Sequence, residues 1–351
     1  YNWGVGISHV PYLLASYPQY LRNDVGGVDY VQQRNRVYVS QASGFASYPF
    51  SRTRRVEAQL GATRYGFDTE LEIYRFSATG QFIDRNRENG QSCDDVSNST
   101  DPLARSLCEP NAIYLAQTGA AFVGDYANFG FTSPIQGGRY RFGVTGIYGT
   151  YNFASVLADY RRYFYAKPFT FAVRGLHRGN YGIGDDERGT RIGQEYLYSA
   201  YYPGFVRGYS IGSIETEECA PVINPQTGVI TDSCPVFNRL LGTRTALASA
   251  EIRTILLGNG EIGLLNFPYL PTELTLFADA GLAWSQDSSP TLKFATGDEA
   301  RTTTERIPVT SVGVSTRLNV LGFAIVEIFY AKPFQRPDQG WHWGFALSPG
   351  W

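Results

Sequence analysis

The clearest regularity in the chain is a two-residue alternation of apolar and polar positions. It recurs in the segments 54–64, 245–256, 273–284 and 309–319. In 273–284 the apolar set comprises Leu274, Leu276, Ala278, Ala280, Leu282 and Trp284, and the opposite set comprises Glu273, Thr275, Phe277, Asp279, Gly281 and Ala283. Because successive side chains of a strand point to opposite faces, this pattern predicts β-strands with one apolar and one polar face.

The length of the alternating segments separates two kinds of all-β protein. A soluble sandwich alternates as well, but its strands are usually five or six residues long. Here the segments run for roughly 10–14 residues, and about 9–11 are enough to cross a bilayer at a tilt. Tyr, Trp and Phe collect near the segment ends, as expected of interfacial girdles. We therefore predict an all-β, transmembrane antiparallel β-barrel. No stretch approaches the roughly 18 apolar residues that a membrane-spanning helix needs.

Connections between the segments differ strongly in length. Short links at 148–153 and 165–171 contrast with polar excursions at about 79–111, 178–190, 210–243 and 285–306, an asymmetry typical of outer-membrane barrels. We count about fourteen or fifteen strands, whereas bacterial single-chain barrels have an even number. We expect a single domain over 1–351 and about 16 strands in the full barrel, so either this count misses a strand or the first strands precede Tyr1.

Composition narrows the possible partners. The formal net charge is -2 and 18% of residues are charged, which argues against nucleic acid as a partner. The 25 Tyr, 22 Phe and 38 Gly suit strands and turns. The chain has no Met and begins YNWGVGISHV, without a charged start and apolar signal core, so we interpret it as a processed chain or a fragment.

Four cysteines form two equally spaced pairs, Cys93 with Cys108 and Cys219 with Cys234, each inside a polar, turn-rich segment. This arrangement predicts two local disulfides and an oxidising compartment. Four free thiols are the alternative. Zinc is disfavoured because no two cysteines are close in sequence and the three histidines are isolated. The sequence predicts neither a metal nor a cofactor.

Catalytic patterns are absent from the sequence. We find no combination of nucleophile, base and orienting acid, and no phosphate-binding glycine motif. The acidic stretches at 93–101 and 182–189 invite a calcium interpretation, but such stretches are more often solvated loops. We predict that the protein is not an enzyme.

A family resemblance rests on motifs in the last third of the chain. FVRGY (205–209) is followed by Ala250-Glu251, FADAGLAW (277–284), SVGVSTRL (311–318), EIFYAKPF (327–334) and WGFALSPGW (343–351). Each motif is weak alone. In this order over about 150 residues they resemble the BamA/FhaC-type superfamily of outer-membrane assembly and secretion barrels, also described as bacterial surface antigen barrels.

The resemblance implies a sixteen-stranded barrel whose sixth outer loop folds back into the lumen and locks there. An arginine in a confined lumen forms charge-assisted hydrogen bonds with carboxylates, and leaving either partner unpaired would be costly. Glycine at the loop tip allows close backbone approach. A solvated loop arginine beside two unrelated acids is the alternative. The predicted lumen lock comprises Val206, Arg207, Gly208, Tyr209, Glu251, Asp279 and Gly281.

Both ends of the chain carry further expectations. In the last strand, Trp343, Phe345, Leu347 and Trp351 are expected to face lipid and to act as the protein's own assembly signal. The N-terminal motifs WGVGISHVPY and SYPFSRTRRVE resemble the subgroup that follows a periplasmic β-propeller of TolB type. No POTRA-like module is visible in this chain, which leaves the handling of client proteins open.

These features predict a protein of the bacterial outer membrane that acts in membrane-protein insertion or polypeptide translocation. Its mechanism would use a weak seam between the first and last strands, where an exposed edge can pair with an incoming strand. The predicted partners are the lipid bilayer and client polypeptides or partner subunits. One alternative is an architectural anchor subunit of a larger complex. A passive pore is less favoured, because an inserted loop would plug the lumen.

Overall fold

The protein is all-β, as predicted. The computed structural model describes residues 1–97, 108–183, 195–197, 206–210, 212–219, 221–223, 226, 230–232, 234–320 and 322–348. The strands in these ranges are β1 (Asn2–Arg22), β2 (Val28–Pro49), β3 (Arg54–Phe76), β4 (Phe82–Asn89), β5 (Ile113–Asp125), β6 (Asn128–Phe129), β7 (Pro134–Gly149), β8 (Phe153–Ala166), β9 (Phe169–Gly182), β10 (Glu195–Tyr196), β11 (Val222–Ile223), β12 (Ile230–Asp232), β13 (Leu241–Gly242), β14 (Arg244–Gly258), β15 (Leu265–Asn266), β16 (Thr272–Trp284), β17 (Val309–Val320), β18 (Ala324–Pro333) and β19 (His342–Ser348).

Helical structure is minor in the described ranges. It consists of α1 (Pro235–Asn238), α2 (Gly297–Thr302) and a 3-10 turn at Thr216–Glu218. No helix there is long and apolar enough to cross a membrane. Both predicted disulfides are present, Cys93–Cys108 and Cys219–Cys234.

One large sheet holds fifteen of the strands listed above. Its main path runs β1-β2-β3-β5-β7-β8-β9-β14-β16-β17-β18-β19, and the short strands β4, β6 and β15 pair with β3, β7 and β14. Within this sheet β14, β16, β17, β18 and β19 pair antiparallel in order, and β15 lies parallel to β14. Two small antiparallel sheets, β10-β13 and β11-β12, lie between β9 and β14 along the chain.

The chain divides into two compact units. The first comprises Tyr1–Ala46, Ala58–Thr118 and Ile147–Tyr151, and the second comprises Ser47–Glu57, Gly119–Gly146 and Asn152–Trp351. The prediction of a single domain over 1–351 stays a prediction.

Strands in the N-terminal part are longer than the alternation suggested. β1, β2 and β3 contain 21, 22 and 23 residues, against the expected 10–14. The extra length of β3 is polar: β4 pairs along Glu70–Phe76, and the buried Glu72 carboxylate contacts Arg34, Arg85 and Arg87. Ion pairs and backbone hydrogen bonds extend these strands where no apolar alternation marks them, which is why sequence periodicity ended them early.

The second unit shows an inverted distribution of exposure. In β16, Leu274, Leu276 and Ala278 are exposed, while the alternate residues Thr275, Phe277 and Asp279 are buried. β17 repeats the pattern, with Val314 exposed between the buried Gly313 and Ser315. Each strand in the order β9, β14, β16, β17, β18 and β19 pairs with the next. The polar face of this part of the sheet is thus enclosed, and the apolar face is open.

Candidate functional site

The residues Val206 to Tyr209 form a tight turn that is completely enclosed within the second unit. The Val206 amide donates to the Leu197 carbonyl at 3.1 Å, and the Tyr209 amide donates back to the Val206 carbonyl at 3.2 Å. Gly208 has φ +93°, in the left-handed region that a side chain strongly disfavours. The glycine therefore makes this turn possible. Its neighbours contact different parts of the fold: Arg207 pairs with Asp279, and Tyr209 bonds to Gln335.

Arg207 reaches the polar face of three strands. Its Nε lies 2.7 Å from Asp279 Oδ2, and its Nη2 lies 2.8 Å from Asp279 Oδ1, a two-pronged contact. The same guanidinium lies 2.7 Å from Glu251 Oε1 and 3.0 Å from Glu327 Oε1. Its carbon stands 3.6 Å from the centre of the Phe277 ring. Strands β14, β16 and β18 each contribute one of the carboxylates, so one side chain joins all three.

Two further buried arginines complete this charge network. Arg253 contacts Glu251 at 2.6 Å, and Arg317 contacts Glu251 at 3.0 Å and Glu327 at 3.2 Å. Arg317 also lies 3.3 Å from Glu273, which accepts hydrogen bonds from the hydroxyls of Thr132 and Ser133. The network consists of three guanidiniums, Arg207, Arg253 and Arg317, and four carboxylates, Glu251, Glu273, Asp279 and Glu327.

Burial and charge act in opposite directions on Arg207. Removal from water disfavours the guanidinium charge, but the carboxylates of Asp279 and Glu251 raise the pKa of Arg207 well above its ordinary value. The side chain is 6% exposed. It is thus a permanent cation, and its charge is balanced by fixed acids rather than by solvent.

A second arginine, Arg336, binds the backbone of the turn. Arg336, which follows β18 and is fully buried, donates to the Gly208 carbonyl at 2.8 Å and to Ser213 Oγ at 3.0 Å. It also contacts both carboxylate oxygens of Glu218, at 2.8 and 2.6 Å. Burial alone would raise the pKa of Glu218, but the Arg336 hydrogen bonds outweigh it and lower that pKa below its usual value. The segment 206–218 is therefore held at both ends by ion pairs.

Apolar packing fills the space around the turn. Val206 and Tyr209 are fully buried, in a cluster with Leu197 and Leu240. The Tyr209 hydroxyl donates to the Thr310 carbonyl at 3.2 Å and accepts from the Gln335 amide at 3.0 Å. At Gly281 an added Cβ would lie 2.5 Å from Val206 Cγ2. A glycine is needed there because the turn packs directly on the strand.

A small cavity lies beside the network. Its volume is about 70 Å³, and its lining includes Arg161, Arg174, Arg207, Glu251 and Asp279. This volume can hold several water molecules. Within the described ranges, no group of three or more histidine, cysteine or acidic side chains could hold a metal ion.

Of the residues predicted from sequence, the structure brings together the whole proposed lock: Val206, Arg207, Gly208, Tyr209, Glu251, Asp279 and Gly281. Trp343, Phe345 and Leu347 are exposed on β19, and Trp351 lies outside the described residues. Sequence reasoning missed Glu327, Arg336 and Glu218. Alternation along β18 would have placed Glu327 on the polar face. No local signal marks Arg336 or Glu218, because these two residues pair with each other across more than a hundred positions of the chain.

Comparison with known proteins gives similarity of structure only. No family model and no curated protein matches the chain. Among solved structures, the chain is similar to BamA from Haemophilus ducreyi lacking POTRA domains 1–3, with 13% identity, a TM-score of 0.46, and coverage of 98% of this chain and 69% of that one. It is also similar to CdiB from Acinetobacter baumannii, with 11% identity, a TM-score of 0.38, and coverage of 98% and 65%.

Reversing the charge of Arg207 tests the network. Arg207→Glu would place a fourth carboxylate among Asp279, Glu251 and Glu327, and breaking a buried ion pair costs about 3–5 kcal/mol. We expect a large loss of the folded, heat-modifiable form on gels, and an intermediate loss for Arg207→Lys, which keeps the charge without the planar fork. Arg52→Glu, at an exposed turn, is the matched control. Equal folding of Arg207→Glu and the control would contradict a structural role of the network.

Acidification tests the ion pair between Arg336 and Glu218. Because the pKa of Glu218 is lower in the folded protein than in the unfolded chain, its ion pair stabilises the fold above the ordinary carboxyl range and is lost as the pH falls through the lowered pKa. We expect hydrogen exchange at the amides of Tyr209 and Ser213, which donate to Val206 and Ser210, to accelerate below about pH 4 once the rates are corrected for the pH dependence of intrinsic amide exchange.

Glu218→Gln is the control for that experiment. This variant should show the faster exchange already at neutral pH, with little further change from the loss of this ion pair on acidification. Identical pH profiles for the variant and the unchanged chain would exclude Glu218 as the titrating group.

Proposed function

We propose that this chain is the barrel of a BamA-like outer-membrane protein that inserts membrane proteins or translocates polypeptides. The inverted exposure of the second unit carries the proposal. Leu276 is 54% exposed, whereas its neighbour Thr275 is 0% exposed. Water would favour the opposite arrangement, because exposing apolar side chains and burying charged ones are both costly.

A bilayer removes this conflict. Lipid solvates the open face formed by side chains such as Phe171, Ile252, Leu276 and Val314, all of which are exposed. Soluble monomers rarely expose contiguous apolar patches of more than a few hundred Å², and here the pattern continues over neighbouring strands. The proposed location is therefore the bacterial outer membrane, where barrels alternate lipid-facing and lumen-facing residues.

The buried turn supports a structural role for Arg207. Its guanidinium contacts three carboxylates and an aromatic ring of the same chain. In this proposal the lock holds the barrel in shape and closes part of its interior, and the protein is not an enzyme. A passive pore is disfavoured for the same reason.

The end strands of the sheet point to the handling of polypeptides. β1 and β19 are the two ends of the main strand path, and β19 pairs with β18 through only seven register positions. A strand edge offers unpaired N–H and C=O groups to an incoming extended segment. We propose that clients pair with such an edge. An anchor barrel in a larger complex is the competing role.

The membrane assignment can be checked with one substitution. Leu276→Arg introduces a charge on the face assigned to lipid, which costs about 2–4 kcal/mol near the bilayer midplane. We expect a corresponding loss of folding stability in vesicles, measured by urea titration. Leu292→Arg, at an exposed position in the 285–306 excursion, should have little effect. Equal effects of the two substitutions would contradict a lipid-facing β16.

Reconstitution tests the function itself. Proteoliposomes containing this chain should accelerate the membrane insertion of an unfolded outer-membrane barrel, measured as the rate at which the client gains protease resistance. Protein-free vesicles and vesicles with Arg207→Glu are the controls. No acceleration by the correctly folded chain, together with stable co-purifying subunits, would favour the anchor role. Bilayer conductance would reveal a pore.

A further inference from the structure

A short segment between β14 and β16 exposes a cluster of apolar side chains that the proposed function does not use. In residues 259–271, here called the rim segment, five large apolar side chains are exposed: Leu264, Leu265, Phe267, Tyr269 and Leu270. From Ile262 to Thr272 the sequence IGLLNFPYLPT carries no charge. Tyr269 is 79% exposed. A connection in water would ordinarily be polar.

Backbone hydrogen bonds hold the rim segment in a defined position. The Leu264 amide donates to the Ile255 carbonyl at 2.9 Å, and the Phe267 amide donates to the Gly258 carbonyl at 2.8 Å. β15 pairs in parallel with the end of β14. Lys167 Nζ, in the turn between β8 and β9, donates to the Glu261 carbonyl at 2.8 Å. The apolar side chains are thus presented by a fixed scaffold.

The register places the rim segment just beyond the open apolar face of the sheet. Thr254 of β14 pairs with Phe169 at the start of β9, and Phe169 is exposed. Leu257, three positions further, pairs with Leu265. Three residues span about 10 Å along a strand, or roughly 8 Å along the membrane normal at the usual barrel tilt of about 40°. The interfacial layer on each side of a bilayer is about 5–7 Å thick.

We propose that the rim segment is a membrane anchor that lies in the headgroup layer of the leaflet at this end of the barrel. Aromatic and leucine side chains on an uncharged stretch suit that layer, where apolar bodies enter the acyl boundary and polar ends stay hydrated. Tyr269 and Phe267 would serve as the aromatic contacts, and Lys167 provides a cation beside the segment for anionic headgroups. The inference rests on the proposed membrane location.

Spin labels at single introduced cysteines test the depth of the rim segment. All four native cysteines are in disulfides, so Leu265→Cys and Tyr269→Cys can be labelled selectively in the oxidised chain. Two sites calibrate the scale: Leu276→Cys for the lipid-facing strand, and Leu292→Cys, which is 87% exposed in the excursion at the opposite strand ends, for water. The probe medium is vesicles of phosphatidylethanolamine and phosphatidylglycerol, with oxygen and a nickel chelate as relaxants.

The ratio of oxygen to nickel accessibility decides the outcome. We expect a several-fold higher ratio at positions 265 and 269 than at 292, and a lower ratio than at 276. Water-like values at 265 and 269, with position 276 in lipid, would overturn the anchor while leaving the proposed function intact, and would assign the segment to a protein partner. Water-like values at 276 as well would overturn both.

Discussion

The structure depends on the compensation of one buried cation. Arg207 cannot lose its proton, so its enclosure away from water is possible only where acids meet it. The Arg207 guanidinium nitrogens lie 2.7 Å from carboxylate oxygens of Asp279 and Glu251, and 3.0 Å from one of Glu327. Those carboxylates would themselves be unstable together without Arg207, Arg253 and Arg317. The turn and the strand faces thus stabilise each other, because each carries buried charges that only the other balances.

The same reasoning explains the distribution of side chains across the sheet. Because the enclosed face is occupied by ion pairs and hydroxyls, the ordinary hydrophobic core is small and local: the cluster around Val206, Tyr209 and Leu240 fills the space beside the turn. Most large apolar side chains lie on the other face, where burial can come only from the surrounding medium. The fold therefore places ion pairs on the enclosed face and apolar side chains on the open face, the reverse of the usual distribution in a water-soluble domain.

Much of this could be predicted from residue order. The alternation in 273–284 identified which side chains of β16 share a face, and the motif around Arg207 indicated that its partners are Glu251 and Asp279. The lengths of β2 and β3 could not be predicted, because polar pairs such as Arg34 with Glu72 extend the strands without an apolar signature. Arg336 was invisible for another reason: PFQRPDQ has the composition of a solvated turn, and only the return of the 206–218 segment encloses it.

The separation of the lock's partners along the chain has a consequence for the order of folding. Arg207 and Glu327 are 120 positions apart, and Arg336 lies 128 positions after Gly208. Contacts of such high sequence separation form late, since the entropy of closing the intervening loop must be lost first. While β14, β16, β17 and β18 are still unpaired, the turn lacks the strand faces against which it packs. Full docking of the turn thus requires the C-terminal strands, because a chain truncated before β18 lacks Glu327, which pairs with Arg207, and Arg336, which binds the Gly208 carbonyl.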